Sequence, residues 1–355
     1  MIQSKLINGF GILKAIGKVK LLNKRVPAYC EWEITHYCNM SCAWCSTLTP
    51  ARNNADDLSS EEALDIIDQL SDLGTQMIHF SGGEPMLRKD LPSLITRAKQ
   101  KNMIVALTTN GSASSEAMEK VLHADMIRVS IDGTEKFHDE QREFKGAYKK
   151  AIKTLEFLIS KGHKPQVVSS YPDESFYPML EELAETCQSL GVQMILNIFV
   201  DYGQYGADAK SFYGWKENNV DAMYLSALDR LKKKFGNVMA NPEPFSSVVR
   251  SGGLDVYGCR AMDIAISIKA DGSICLPCTQ FPQNIKKGNL REIYYGSEAE
   301  EIHNTQGKKP ECSGCLMRCM SSASAMLNMR GQIALFSTYA KNLFFARRKN
   351  LFLQG

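Results

Sequence analysis

A chain of 355 residues with 44% hydrophobic and 23% charged residues has the balance of an ordinary globular protein and room for one large domain with an appendage, which excludes disorder as its main theme. Its formal net charge of +3 supplies no field for nucleic acid, and no apolar run of about 18 residues is present to span a membrane. Eleven cysteines without a secretory-type leader argue against a disulfide framework and for thiols kept free as metal ligands, which predicts a cytoplasmic protein.

In chain order, residues 1–27 come first as an amphipathic segment. Leu6, Phe10, Leu13, Ile16 and Val19 recur at helical spacing with Lys14 and Lys18 between them. Such a segment either lies on a membrane surface, here its inner face, or packs on the rest of the fold or on a second subunit. From residue 28, strand-like runs alternate with helical patterns: Ala28–Thr35, Gln76–Ser81, Ile104–Thr109, Met126–Ile131, Gln166–Ser170 and Gln193–Val200. That alternation predicts an α/β fold of parallel strands and crossover helices, a partial (β/α)6 TIM-like barrel over residues 28–241. Between the first two runs, Ser59 and Glu62 form a capping box. Ala63, Ile66, Ile67, Leu70 and Leu73 then mark a buried stripe, and Gly74 the helix stop. Gly162 and Gly191 stop two later helices. Residues 201–214 read as a loop and 219–235 as a helix, where the barrel is expected to close. Residues 242–330 shift to Pro, Gly and Cys and read as a small metal-stabilised module. The tail, 331–355, is aromatic-rich with Arg347, Arg348 and Lys349, a second candidate for membrane contact.

The chemistry-bearing segment follows the first strand. Cys38, Cys42 and Cys45 stand in a C-x3-C-x2-C loop, and three thiolates on one loop can hold three irons of a cubane cluster and leave the fourth iron open. A structural zinc site would need a fourth ligand, with His36 or His79 as sources. Further along, Ser81-Gly-Gly-Glu-Pro85 ends the second strand, Thr109-Asn-Gly111 the third, and Ser130-Ile-Asp-Gly133 the fourth.

In that order the loop and the three strand-end motifs resemble the radical S-adenosylmethionine (SAM) superfamily, over residues 28–200. The resemblance implies a [4Fe-4S] cluster on Cys38, Cys42 and Cys45, with Trp44 at the aromatic position of the loop. It implies that Gly82, Gly83 and Glu84 hold the amino group of S-adenosylmethionine, a carboxylate suiting an ammonium. Ser130 and Asp132 would face the ribose or the methionine carboxylate, and Asn110 the reacting centre. The implied activity is reductive cleavage of S-adenosylmethionine, fed by a reductant such as flavodoxin or ferredoxin, followed by abstraction of a substrate hydrogen atom.

Beyond the barrel lie Cys259, Cys275, Cys278, Cys312, Cys315 and Cys319. Two C-x2-C pairs suggest a zinc ribbon, although the gap between them exceeds the usual ~15–20 residues. Their surroundings are similar to the SPASM and twitch extensions of radical SAM enzymes, which implies one auxiliary [4Fe-4S] cluster on Cys259, Cys278, Cys312 and Cys315, with Cys319 able to replace one of them. No cysteine follows Cys319, unlike the full SPASM pattern, and the role of Cys275 stays open. Cys30 and Cys187 read as buried structural thiols.

The sequence therefore points to a radical SAM enzyme acting on a small molecule, a lipid or a ribosomal peptide. With about 27 residues before the first strand, no winged-helix peptide-binding segment is expected there, which weighs against the peptide. The alternatives are a zinc-stabilised binding or scaffold protein, and a cluster carrier without radical chemistry. No acid, base or radical-quenching residue is legible. Asp201, Tyr202, Tyr205 and Cys275 are candidates by position only.

Overall fold

The computed structural model describes residues 2–42, 45, 54–171, 174–198, 220–241, 245–250, 252, 254, 258–275, 280–308, 312 and 324–328. Helix α1 (Ile2–Leu22) precedes β1 (Tyr29–Glu33). Next come α2 (Ser60–Leu73), β2 (Met77–Ser81), α3 (Leu91–Gln100), β3 (Ile104–Thr109), α4 (Ser115–Glu119) and β4 (Met126–Ser130). Helices α5 (Glu135–Arg142) and α6 (Ala147–Ser160) lead to β5 (Gln166–Tyr171), α7 (Tyr177–Leu190), β6 (Gln193–Ile198) and α8 (Val220–Phe235). The predicted strands recur within two residues at each end, apart from residues 199 and 200, which lie outside the described set.

Local chemistry accounts for the elements. In α2 the Ser59 hydroxyl accepts from the Glu62 amide at 3.2 Å and the Glu62 carboxylate accepts from the Ser59 amide at 2.7 Å, the capping box read from the sequence. Gly74, at φ 97°, closes that helix, and Ala63, Ile66, Ile67, Leu70 and Leu73 are the residues it buries.

Strands β1 to β6 are parallel and adjacent in order, as a partial barrel requires. Residues 201–219, in the stretch where the barrel is expected to close, lie outside the described residues. Beyond β6 the described chain adds one isolated parallel bridge, Met194 with Met239, and on the other side of the six strands β1 is extended by β7 (Ala265–Ile268), which pairs in parallel with Cys30 opposite Ile266. Antiparallel β8 (Ser273–Cys275) and β9 (Gln280–Asn284) follow. The cysteine-bearing segment thus satisfies its backbone on the barrel sheet itself.

Each central strand is two-faced. Cys30, Trp32, Ile78, Phe80, Val105, Leu107, Ile127 and Val129 are fully buried against the helices, while Tyr29, Glu31, His79, Thr108, Arg128 and Ser130 on the alternate positions are only partly covered. Parallel sheets are usually covered by helices on both faces. Here the second face is polar and accessible, the concave side of the partial barrel.

Helix α1 packs by Ala15, Ile16 and Val19 on Val26, Ala28, Ile264, Ala265 and Leu327. This corrects the predicted stripe: Leu13 faces solvent, because the contact is centred on the small Ala15, which allows close approach. The side chains of Leu6 and Phe10 lie outside the described set. Arg25 ties this segment to the C-terminal module, pairing with Glu300 at 2.9 Å and lying over the rings of Tyr294 and Tyr295.

Candidate active site

The cysteine loop leaves β1 at the C-terminal end of the sheet. Cys38, Cys42 and Cys45 gather in one patch with Met40, Phe144 and Ala147. The Cys45 amide donates to the Cys42 carbonyl at 3.3 Å. Burial pushes the Cys38 thiol up to about 11, and burial also raises Cys42, against the opposing pull of Arg142. Cys38 and Cys42 thus resist ionisation unless cationic metal offsets their charge, so the donor set of the loop fits an iron cluster. Among the described residues no three His, Cys, Asp or Glu side chains converge as ligands of one ion would. Of the two candidate fourth zinc ligands, His79 has both ring nitrogens engaged, 2.9 Å from Glu31 and 2.8 Å from Thr108, while His36 is held through Nδ1, 2.9 Å from Asp57. Trp44 lies outside the described residues.

The Gly-Gly-Glu segment is bonded directly to that loop. Gly83 donates to the Thr35 carbonyl and Glu84 to the Tyr37 carbonyl, both at 2.8 Å. A Cβ on Gly82, at φ 129°, would sit 2.6 Å from the Thr35 carbonyl oxygen, and one on Gly83 2.2 Å from that of Tyr37. The glycines are therefore required first for the approach of two protein loops, a reason the sequence did not show. Glu84 is 1% exposed, and burial raises its pKa although three donors oppose that effect. Its carboxylate accepts from the Met86 amide at 3.0 Å, the Thr109 hydroxyl at 2.7 Å and the Asn110 amide at 2.6 Å. With about four lone-pair positions on a carboxylate, one remains for a ligand ammonium.

Asn110 continues the chain of contacts: its Nδ2 donates to Asn39 Oδ1 at 3.0 Å, and Asn39 donates to Ser112 at 2.9 Å. The motifs on β1, β2 and β3 are thus one hydrogen-bonded unit. Ser130 ends β4 on the concave face, partly exposed. Asp132, just beyond, is buried and accepts from Arg142 Nη2 at 2.6 Å and Nε at 2.8 Å, while its own amide donates to His138 Nδ1 at 3.1 Å. Arg142 Nη1 reaches Cys42 Sγ at 3.8 Å, and the ion pair holds its pKa above the ordinary arginine value despite burial. Arg142 is absent from the sequence reading. It ends α5 beside the left-handed Glu143, at φ 47°, and no short motif signals it.

Deeper on the concave face, Glu31 accepts from the Tyr29 hydroxyl and from Ser81 at 2.8 Å, and binds His79 at 2.9 Å. Burial alone would raise its pKa, but these partners bring it down to about 2. Glu33 is paired with Lys269 at 2.6 Å.

In the C-terminal segment Cys259 follows left-handed Gly258, Cys275 ends β8, and Cys312 is partly buried. Cys278, Cys315 and Cys319 lie outside the described residues, as do Asp201, Tyr202, Tyr205 and residues 331–355. Cys30 and Cys187 are buried free thiols, as expected.

Comparison with known proteins agrees with this geometry. The profile of the Radical SAM superfamily matches residues 32–172. A PqqA peptide cyclase of Granulibacter bethesdensis is 29% identical over 311 residues, covering 80% of this chain and 78% of its own. An Fe-coproporphyrin III synthase of Methanosarcina barkeri is 36% identical over 136 residues, 38% of this chain and 34% of that protein. The crystal structure of Streptococcus suis SuiB bound to precursor peptide SuiA superposes with a TM-score of 0.64 at 17% identity, over 89% of this chain and 76% of SuiB, a likeness of fold.

Proposed function

The chain belongs to the radical SAM superfamily, and from that premise we propose that Cys38, Cys42 and Cys45 hold its catalytic cluster and that the concave face of the sheet receives the substrate. The observation that carries the reading is the bonded unit at the strand ends, in which the cysteine loop, Glu84 and Asn110 are fixed to one another. When bound, the cluster and S-adenosylmethionine supply a 5′-deoxyadenosyl radical by reductive cleavage of a carbon–sulfur bond. Glu84 keeps one acceptor position for the ammonium of the cofactor, with Gly82 and Gly83 shaping the backbone around it. Arg142 offsets negative charge at Cys42, and Trp44, Ser130 and Asp132 line or stiffen the cofactor site.

Anaerobic reconstitution followed by dithionite and S-adenosylmethionine tests this. Iron, labile sulfide and 5′-deoxyadenosine should all appear, and Cys42→Ala should lose the 5′-deoxyadenosine and about half of the iron and sulfide while keeping its circular dichroism. Zinc without iron would overturn the reading in favour of a scaffold protein. Flavodoxin or ferredoxin is the class of reductant such a site takes.

For the second cysteine group we propose one auxiliary [4Fe-4S] cluster on Cys259, Cys278, Cys312 and Cys315, with Cys319 as the alternate ligand. Its support is the order of these residues and the pairing of β8, which ends at Cys275, with β7 on the barrel sheet. Iron should then be about eight per chain and fall to about four in Cys312→Ala. A relative aligned over 80% of the chain, a peptide cyclase, favours a ribosomal peptide as substrate. The synthase aligned over 136 residues keeps a small molecule as the second reading.

No helix among the described residues is long and apolar enough to cross a membrane. The outer face of α1 supports peripheral contact with an anionic membrane surface, because it exposes Leu13, Leu21 and Leu22 among lysines.

A further inference from the structure

Arg128 sits at the centre of β4, between the buried Ile127 and Val129, and therefore on the concave face. Its neighbours in register are Thr108 on β3 and Gln166 on β5. Ser130 lies two residues further along the same face, so Arg128 is ~6–7 Å deeper in the barrel than the end of the strand.

Among the described residues this guanidinium has no carboxylate partner. Its polar contact is Nε to Gln166 Oε1 at 3.5 Å, at the outer limit of a hydrogen bond. The other partly buried arginines are each held by an acid: Arg25 by Glu300, Arg88 by Asp90, Arg97 by Asp68, Arg142 by Asp132 and Arg260 by Asp263. The two carboxylates that β1 places on the same face are already committed, Glu31 to His79 and Ser81 and Glu33 to Lys269. A guanidinium taken partly out of water without a counter-charge is destabilising, and it offers five donors in a planar fork matched to carboxylate or phosphate.

We propose that Arg128, with the Gln166 amide and the Thr108 hydroxyl beside it, recognises an anionic group of the substrate, a carboxylate or a phosphate. The inference rests on the reading of the concave face as the substrate chamber. The satisfied acids on the β1 side and the unsatisfied arginine on the β4 side give that chamber a polarity, with the anionic end of the substrate directed toward β4 and β5.

The test uses the full chain, reconstituted anaerobically, with inorganic phosphate and glutarate as probes in separate arms and chloride at matched ionic strength as control. The thermal midpoint of the wild type should rise with one or both anions. The arm that responds identifies the group as phosphate or carboxylate. Arg128→Met should lose that rise while its midpoint in chloride stays level or climbs, as expected when an uncompensated charge is removed. Arg128→Lys should keep part of the response, since it retains a point charge without the fork. Affinity for S-adenosylmethionine, and the 5′-deoxyadenosine formed with dithionite alone, should be unchanged in Arg128→Met. The proposal is overturned by a wild type that ignores both anions, by equal responses in wild type and Arg128→Met, or by a midpoint in chloride that drops several degrees in Arg128→Met. A roughly tenfold loss of S-adenosylmethionine affinity in that variant would also overturn it, because the anion held would then be the cofactor's own. Absence of 5′-deoxyadenosine from the wild type counts against the superfamily chemistry and leaves the anion result readable by itself.

Discussion

Arg142 and Asp132 form a buried ion pair at 2.6 Å, and the same guanidinium turns its other face to the sulfur of Cys42. Removing one member of such a pair strands the other charge. Arg142→Met should therefore cost about 3–5 kcal/mol in urea unfolding, and Asp132→Asn added to it should recover a substantial part. A loss of under 1 kcal/mol in the single variant would show that the pair is open to solvent.

Gly83 offers a second lever on the same loop. A methyl group there meets the Tyr37 carbonyl oxygen at 2.2 Å, and the donor bond from Glu84 to that carbonyl leaves it no room to retreat. Gly83→Ala should lower stability by about 1–3 kcal/mol and reduce iron retained after reconstitution, since the displaced backbone carries Cys38 with it. Full iron content and an unchanged midpoint would refute this account of the glycine.

Whatever depended on neighbours in sequence was legible before the fold was known. The capping box of α2 and the αL glycines are local, and they emerge as read. The cysteine loop and the strand-end motifs were legible because each is a short contiguous string. What could not be read is set by register. Glu31 meets His79 only because β1 and β2 pair in parallel with those residues opposite, and Arg142 meets Cys42 across a hundred residues of chain. The crowding at Gly83 could not be read for the same reason, as its partner, the Tyr37 carbonyl, belongs to another loop. The docking of β7 on β1 follows from an unfilled sheet edge, which composition does not mark.

The buried His138 makes stability depend on pH in a known direction. Burial brings its pKa from 6.5 down to about 4, its Nδ1 accepts the Asp132 amide, and its Nε2 has no partner. A base with a depressed folded pKa binds fewer protons when folded than unfolded. Its contribution is therefore complete above pH 6.5 and lost as pH falls toward 4, amounting to about 3 kcal/mol at most. Glu31 adds a lower step, present above 4.5 and lost as pH falls toward 2. The stability difference between wild type and His138→Asn should shrink steadily from pH 7 to 4, measured by urea unfolding at each pH. A difference that stays flat across that window would show that the imidazole is charged or solvated in the folded chain.

The outer face of α1 makes the last prediction. Leu13, Leu21 and Leu22 are 64%, 85% and 61% exposed, and Lys14, Lys18, Lys20 and Lys24 lie among them. The first acidic residue of the chain is Glu31. Ala15 and Val19 fasten the opposite face to the body of the protein, so the leucines cannot turn inward without undocking the helix. An anionic bilayer satisfies both features at once, each lysine near its surface contributing about 1 kcal/mol and each leucine burying apolar area. The chain should co-sediment with phosphatidylglycerol vesicles and much less with phosphatidylcholine vesicles, and salt should weaken the binding. Leu21→Glu with Leu22→Glu should reduce the partition about tenfold or more without lowering the thermal midpoint, because neither residue is packed. Equal partition onto both lipids, or indifference to the double substitution, would rule the membrane out and leave this face to a protein partner.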